Sequence, residues 1–135
     1  MILLDANILM YAAGAAHPNK APSLELLTRI ARGEVEAGAD VEVIQEVLHR
    51  YRALRRWDDG RRVYDLARQI VSTWLPIDVA VLDGARKLLD EHPALGARDA
   101  LHAAVFFEVG AKAFCSYDRD FESIPGLQRV EPSEV

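Results

Sequence analysis

Two short apolar runs, near opposite ends of the chain, each stop at acidic or polar residues, and helix-periodic segments fill the sequence between them. In MILLDANILMYAAGAA the run Ile2–Leu4 ends on Asp5, and in AKAFCSYD an apolar stretch ends on Ser116, Tyr117 and Asp118. Such runs suit buried strands, and strands alternating with helices of about a dozen residues describe an α/β domain with a mainly parallel sheet. In sheets of that kind, sites gather beyond the carboxyl ends of strands, where Asp5 and Asp118 would lie. A carboxylate inside an apolar segment is costly without a partner, so Asp5 sits at an edge or has company.

The intervening segments set the order of elements. Residues 6–13 read as a helix, HPNKAPS as a loop, and SLELLTRIARG as a helix capped by Ser23 and stopped at Gly33. EVEAGAD holds a short strand. VEVIQEVLHRYRALRRW carries Val43, Ile44, Val47, Leu48, Tyr51 and Leu54 along one helical stripe. DDG breaks that stripe, and RRVYDLARQIVSTW resumes it through Val63, Leu66, Ala67 and Ile70. LPI is a third strand candidate, VAVLDGARKLLDEH another helix, and ALGARDALHAAVFFEVG a nearly all-apolar one. A tail with Pro125, Gly126 and Pro132 closes the chain. No repeat, low-complexity tract or linker divides the 135 residues, half of them apolar, so a single domain over 1–135 is expected.

With 21 acids against 16 bases the net charge is −5, which by itself argues against a polyanionic partner. Distribution matters more than the sum. Six of the thirteen arginines (Arg50, Arg52, Arg55, Arg56, Arg61 and Arg62) crowd into HRYRALRRWDDGRR. This basic segment is either a solvated helical face or a path that positions phosphates beside an acidic pocket. Tyr51 and Trp57 either stack on bases or pack inside, and their helical spacing favours packing. Cys115, the one cysteine, makes no internal disulfide and suits a buried thiol in a reducing compartment. The opening residues look superficially like a signal peptide, yet they lack a basic leader and carry Asp5. No run approaches the ~20 apolar residues of a membrane span, so the cytoplasm is the expected location.

Each acid has an ordinary reading. Asp5 caps a helix, Glu46 pairs with Arg50 one turn later, Asp99 favours a first helical turn, and Asp118 and Asp120 in SYDRDF shape a turn. His102, one turn after Asp99, reads as a structural histidine within hydrogen-bonding reach of it, since no second histidine is placed as a metal ligand or acid–base partner. The joint pattern says more. Asp5 and Asp118 end strands, Glu46 and Asp99 open or flank buried helices, and all four can face one point. Converging carboxylates repel and hold protons unless a cation joins them.

Four segments, LLDANILMY, VEVIQEVLHRY, ARDALHAA and SYDRDF, occur in the order and at the spacing of the PIN-domain family. The chain resembles that family over essentially its whole length, and most of all the VapC toxins of bacterial toxin–antitoxin pairs. The resemblance implies a three-layer fold: a short, mainly parallel central sheet with helices on both faces. It also implies an acidic site at Asp5, Glu46, Asp99 and Asp118, supported by Asn7 and Ser116, that holds Mg²⁺ or Mn²⁺ and cuts RNA. A VapB-type antitoxin and a homodimer are the implied partners. Six residues before Glu46, where the family commonly has Ser or Thr, this chain has Asp40. Asp120 is a second candidate beside Asp118.

Oxygen-only ligands suit a hard cation, and a metal-activated water that attacks phosphorus leaves 5′-phosphate and 3′-hydroxyl ends. On this chemistry Asp5, Asp99 and Asp118 are the expected metal ligands and Glu46 orients or deprotonates the water. Arg50, Arg55, Arg56, Arg61 and Arg62 are the candidates for RNA contact. A haloacid-dehalogenase phosphatase resembles D-x-D at its first strand, whereas Asn7 occupies the second position here. DRDFES lacks the Gly and Glu of a calcium loop, and no nucleophile elbow, P-loop or dinucleotide fingerprint occurs. The non-enzymatic alternative is a PIN-like module that binds RNA or protein without cutting.

Overall fold

Alternation along very short strands decides which side chain enters which layer. The computed structural model describes residues 1–135. Its strands are β1 (Ile2–Leu4), β2 (Ala37–Asp40), β3 (Thr73–Leu75), β4 (Ala113–Cys115) and β5 (Arg129–Val130). They form one fully parallel sheet in the order β3-β2-β1-β4-β5. The helices are α1 (Ala6–Ala13), α2 (Lys20–Ala31), α3 (Val41–Ala53), α4 (Trp57–Ile70), α5 (Val79–Glu91) and α6 (Ala97–Val109). Short 3₁₀ turns cover Arg119–Ser123 and Pro132–Glu134.

Because successive strand residues point to opposite faces, Leu4, Ala37, Ala39 and Cys115 join one buried cluster with residues of α1 to α4. Leu3 and Phe114, one residue out of step, join the other cluster with residues of α5 and α6. The result is the three-layer α/β architecture with helices on both faces. Each fully buried leucine or phenylalanine contributes about 1.5–3 kcal/mol, enough in sum to offset charged groups at the sheet's edge.

The chain starts in the centre of the sheet, runs outward through β2 to β3, then crosses to β4 and β5 on the other side. The strand order therefore reverses between β1 and β4, and in open parallel sheets that crevice is where ligands bind.

Several local expectations shift. The second helix begins at Lys20, ahead of Ser23; Pro22 falls in its first turn, where a missing N–H is harmless. Ser23 is fully buried and meets the Tyr117 hydroxyl at 3.3 Å instead of capping. Asp58, Asp59 and Gly60 form the first turn of α4 and do not break the chain. The break comes earlier, at Leu54–Arg56, where Arg55 takes the left-handed conformation at φ 56°. Gly60 is needed because a Cβ there would lie 2.5 Å from the Tyr51 Cβ, so α3 and α4 touch backbone to ring. The third strand is Thr73–Leu75 and not LPI, since Pro76 has no N–H to continue a ladder. The tail adds β5, whose residues are too few and too exposed to form an apolar run.

Candidate active site

Parallel register places Leu4 opposite Cys115, so Asp5 and Ser116 emerge side by side at the carboxyl edge of the sheet. Asp5 is the N-cap of α1: its Oδ1 accepts from the Ala6 N–H at 2.7 Å. Its Oδ2 accepts from Asn7 Nδ2 at 3.0 Å and from the Ser116 hydroxyl at 2.5 Å. Ser116 Oγ in turn accepts from Asn7 Nδ2 at 3.1 Å and from the Asp118 N–H at 2.9 Å. The two expected polar helpers thus clamp the carboxylate and tie it to the loop after β4. Burial pushes the Asp5 carboxyl above its ordinary range, with the Ser116 hydrogen bond opposing.

Glu46 projects from α3 toward the same edge. Its Oε1 lies 3.2 Å from Arg98 Nε and 3.3 Å from His102 Nε2. The expected pairing with Arg50 does not form; partners from α6 replace it because α6 packs across the sheet edge. His102 likewise does not hydrogen-bond Asp99. Its Nδ1 lies 2.6 Å from Asp40 Oδ2, and ring and carboxylate are both fully buried. These two carboxylates raise the His102 pKa to about 10 against the opposing effect of burial, the largest single influence. Asp40 also caps α3, its Oδ1 accepting from the Val43 N–H at 3.3 Å.

Asp99 stands in the first turn of α6. Asp118 caps the following 3₁₀ turn, accepting from the Asp120 N–H at 2.9 Å. Burial, then the neighbouring Asp118 and Asp5 charges, push the Asp99 pKa to about 6. No lysine or arginine forms an ion pair with Asp5, Asp99 or Asp118, whereas Arg98 serves Glu42 and Glu46.

All four expected acids line one cleft of about 790 Å³, together with Asn7, His49, Arg98 and His102. Within it the acids fall into two neighbouring groups. Asp5, Glu46 and His102 offer ligand atoms within 4.8 Å of one another, as do Asp99, Asp118 and Asp120. His102 is not free to coordinate, because both its nitrogens face carboxylate oxygens. The remaining donors are all carboxylate oxygens, the set a hard divalent cation takes. Asp118 lines the cleft wall; Asp120 is exposed beyond it.

The arginine segment divides. Arg50 and Arg56 line the cleft with the acids, and Arg56 Nε also pairs with Asp59 Oδ2 at 2.9 Å. Arg55, Arg61 and Arg62 lie outside that wall; Arg61 pairs with Asp58 at 4.0 Å and Arg62 with Asp59 at 3.8 Å. Arg52 stacks over the Trp57 ring at 4.6 Å, and Tyr51 is buried in the core. Two residues at the site escape sequence reasoning: Arg98, visible only as the neighbour of Asp99, and Arg129, which holds the Ser116 carbonyl at 2.8 Å. No helix is long and apolar enough to cross a membrane. Burial pushes the Cys115 thiol up to about 12, which leaves it unreactive.

The PIN domain family profile matches residues 2–127. Ribonuclease VapC13 of Mycobacterium tuberculosis is 39% identical over 130 residues, covering 96% of this chain and 99% of that protein. Among solved structures, the Mycobacterium tuberculosis toxin VapC20, described as cleaving the sarcin–ricin loop, superposes with a TM-score of 0.80 over 98% of this chain and 100% of that chain, at 15% identity. VapBC2 from Rickettsia felis, solved bound to a DNA fragment from its promoter, gives a TM-score of 0.73 over 97% of this chain and 98% of that one, at 18% identity. The family match over residues 2–127, 39% identity to a VapC ribonuclease over nearly the whole chain, the parallel sheet with its reversal between β1 and β4, and a carboxylate-lined cleft at that reversal agree: the chain belongs to the PIN-domain family, with the VapC ribonucleases as its relatives.

Proposed function

We propose that this protein is a divalent-metal-dependent endoribonuclease, the toxin of a VapBC-type toxin–antitoxin pair. One observation carries the proposal: carboxylates from four separate elements share a cleft, and no lysine or arginine forms an ion pair with Asp5, Asp99 or Asp118. Evolutionary relatives named as ribonucleases support the substrate class. The oxygen-only donor set and the raised Asp99 pKa support a cation as the missing counter-charge.

Asp5, Asp99 and Asp118 would hold Mg²⁺, with Mn²⁺ as a substitute. When bound, the ion supplies positive charge that acidifies a water and steadies the phosphate oxygens. Ser116 and Asn7 keep the Asp5 carboxylate aimed outward while Ala6 N–H holds its other oxygen. Glu46 orients the attacking water and accepts its proton. Arg50, which forms no ion pair, holds flanking phosphates against the repulsion of the acidic floor, with Arg56, paired to Asp59 through Nε, supporting it by its remaining N–H groups. As water adds to phosphorus, the bond to the 3′ oxygen breaks and that oxygen takes up a proton from solvent, to which Glu46 releases the one it accepted. The products carry 5′-phosphate and 3′-hydroxyl ends.

A VapB-type antitoxin is the proposed partner, supported by a structural neighbour from Klebsiella pneumoniae solved as a toxin–antitoxin complex; a homodimer is proposed on the family resemblance. The test compares RNA incubated with Mg²⁺, with EDTA, and with Asp5→Asn protein. Cleavage in the first condition alone, with 5′-phosphate ends, is the expected result. Equal RNA binding with no cutting in all three would replace the nuclease with a binding module.

A further inference from the structure

Glu46 is gripped by one oxygen only. His102 Nε2 at 3.3 Å and Arg98 Nε at 3.2 Å both address Oε1, and no protein donor reaches Oε2. Behind His102 stands Asp40, its Oδ2 2.6 Å from Nδ1, with ring and carboxylate each 1% exposed. Asp40 therefore does two separable things. Oδ1 caps the helix that carries Glu46, and Oδ2 fixes the ring that grips Glu46.

The cap alone needs nothing more than a short polar oxygen, which serine or threonine supplies. Burying a full carboxylate there is far costlier than burying a hydroxyl, and the only hydrogen bond its second oxygen makes is to His102. A ring with a carboxylate oxygen at each nitrogen donates from both. Rotation by half a turn would set carbon atoms against both acceptors, so the imidazole is locked in place. Such buried partners behind a reacting group fix its orientation.

The geometry points to Asp40 and His102 as a buried positioning pair: Asp40 orients the imidazole, the imidazole pins Glu46 Oε1, and Glu46 Oε2 is thereby presented to the cleft. This rests on Glu46 acting on the attacking water, as proposed above. Neither Asp40 nor His102 touches the substrate; both act through Glu46.

Asp40→Ser separates the roles, since it keeps a cap for Val43 and removes the acceptor for His102. RNA cleavage at saturating substrate should fall roughly 10- to 100-fold, with KM unchanged within about twofold. His102→Asn should show the same loss, and the double variant no more than either alone. Asp40→Asn keeps the capping oxygen and sets an amide NH2 against Nδ1, which can still hold a neutral ring with its Nε2–H toward Glu46, so it should recover most of the rate. In a Glu46→Gln background, Asp40→Ser should cause no further loss. Wild-type kcat in Asp40→Ser, or a loss that persists undiminished without Glu46, overturns the proposal.

A second readout needs no activity and no metal. In ¹⁵N-histidine-labelled protein, the His102 ring signals are identified by their loss in His102→Asn. The Nε2–H should exchange slowly in the wild type and faster in Asp40→Ser. Unchanged exchange overturns the pair's role. Wild-type protein that cuts no RNA would defeat the nuclease proposal alone, and the exchange comparison would still decide whether Asp40 and His102 hold Glu46. If Asp40→Ser fails to fold, Asp40→Thr, which also keeps a capping oxygen and removes the carboxylate, carries both readouts, and His102→Asn carries the rate alone.

Discussion

The acidic floor of the cleft and the arginine segment beside it hold charge on opposite terms. On the floor, Asp5, Asp99 and Asp118 come from three elements distant in sequence; hydroxyl, amide and backbone donors hold Asp5, a backbone N–H holds Asp118, and no lysine or arginine pairs with any of the three. In the segment, Arg56, Arg61 and Arg62 pair with Asp58 or Asp59 in the first turn of α4, three residues away. Exposed pairs of the second kind contribute little to stability, about 0.2–1 kcal/mol each, and form wherever opposite charges sit one turn apart. Buried like charges left unpaired are destabilising and persist only where something returns the cost. The contrast teaches that the number of charges in a cluster says less than how they are satisfied.

The sharpest way to break this contrast is Asp99→Asn. Cleavage should fall by more than about 100-fold, beyond the loss typical of an outer-shell group. Metal-free thermal stability should stay equal or rise, as read by differential scanning fluorimetry. A loss of several kcal/mol, the scale of a broken buried pair, would instead make Asp99 a structural acid.

Adding the counter-charge should stabilise the floor. Mg²⁺ at ~100 times its dissociation constant should add about 2.7 kcal/mol, seen as a rise in the urea midpoint. Asp5→Asn should abolish that rise while leaving the unfolding slope unchanged. A midpoint that rises equally in Asp5→Asn would put the ion somewhere else.

Arginines lining the cleft should count for less, and those outside it for almost nothing. Arg50→Ala should weaken RNA binding severalfold and reduce the salt slope by about one, measured by fluorescence anisotropy with Ca²⁺ or EDTA to prevent cutting. Arg61→Ala and Arg62→Ala should change binding by less than about twofold, within the scale of exposed surface pairs. Equal losses at all three would extend the RNA path along α4.

The smallest expected effect is the pH dependence of stability. The Asp99 pKa rises from 3.8 to about 6 on folding, so the folded state binds the proton more tightly than the unfolded chain. Between those values the unfolded state holds fewer protons, and stability falls as pH rises. Asp99→Asn removes that contribution, so its advantage over the wild type should grow across this window and level off above it. Half-exposure of Asp99 screens the effect and keeps it modest. Parallel urea titrations across the window measure the difference.

How much of this was legible depended on the range of the interaction. The strands β1 and β4 were readable because uninterrupted apolar runs have no other home than a sheet buried on both faces. The edge strand β5 was not, since two partly exposed residues carry no pattern and pair only because β4 offers its bonds: Phe114 N–H reaches the Gln128 carbonyl at 2.8 Å, and Ser116 N–H the Val130 carbonyl at 3.0 Å. The stripe on α3 was sound at Val43, Ile44, Val47 and Tyr51, but Leu54 is exposed, because the helix ends at Ala53. Asn7 and Ser116 were foreseeable from the motifs that contain them. Asp40 was noticed as a departure from the family's usual residue, yet its partner lay 62 positions further along, where periodicity has no reach.

Taken by itself, the amino-acid order determined the alternation of strands and helices, the face each strand residue takes, and the arrival of acids just past strand ends. Those outcomes follow from steric period, hydrogen bonding and apolar burial, which act over a few neighbouring residues. Only the folded chain decided that Glu46 would meet Arg98 and His102, that His102 would turn from Asp99 to Asp40, and that Arg50 but not Arg61 would face the cleft. Electrostatic partnership depends on distance through space and on burial, and both are set by the packing of every element at once.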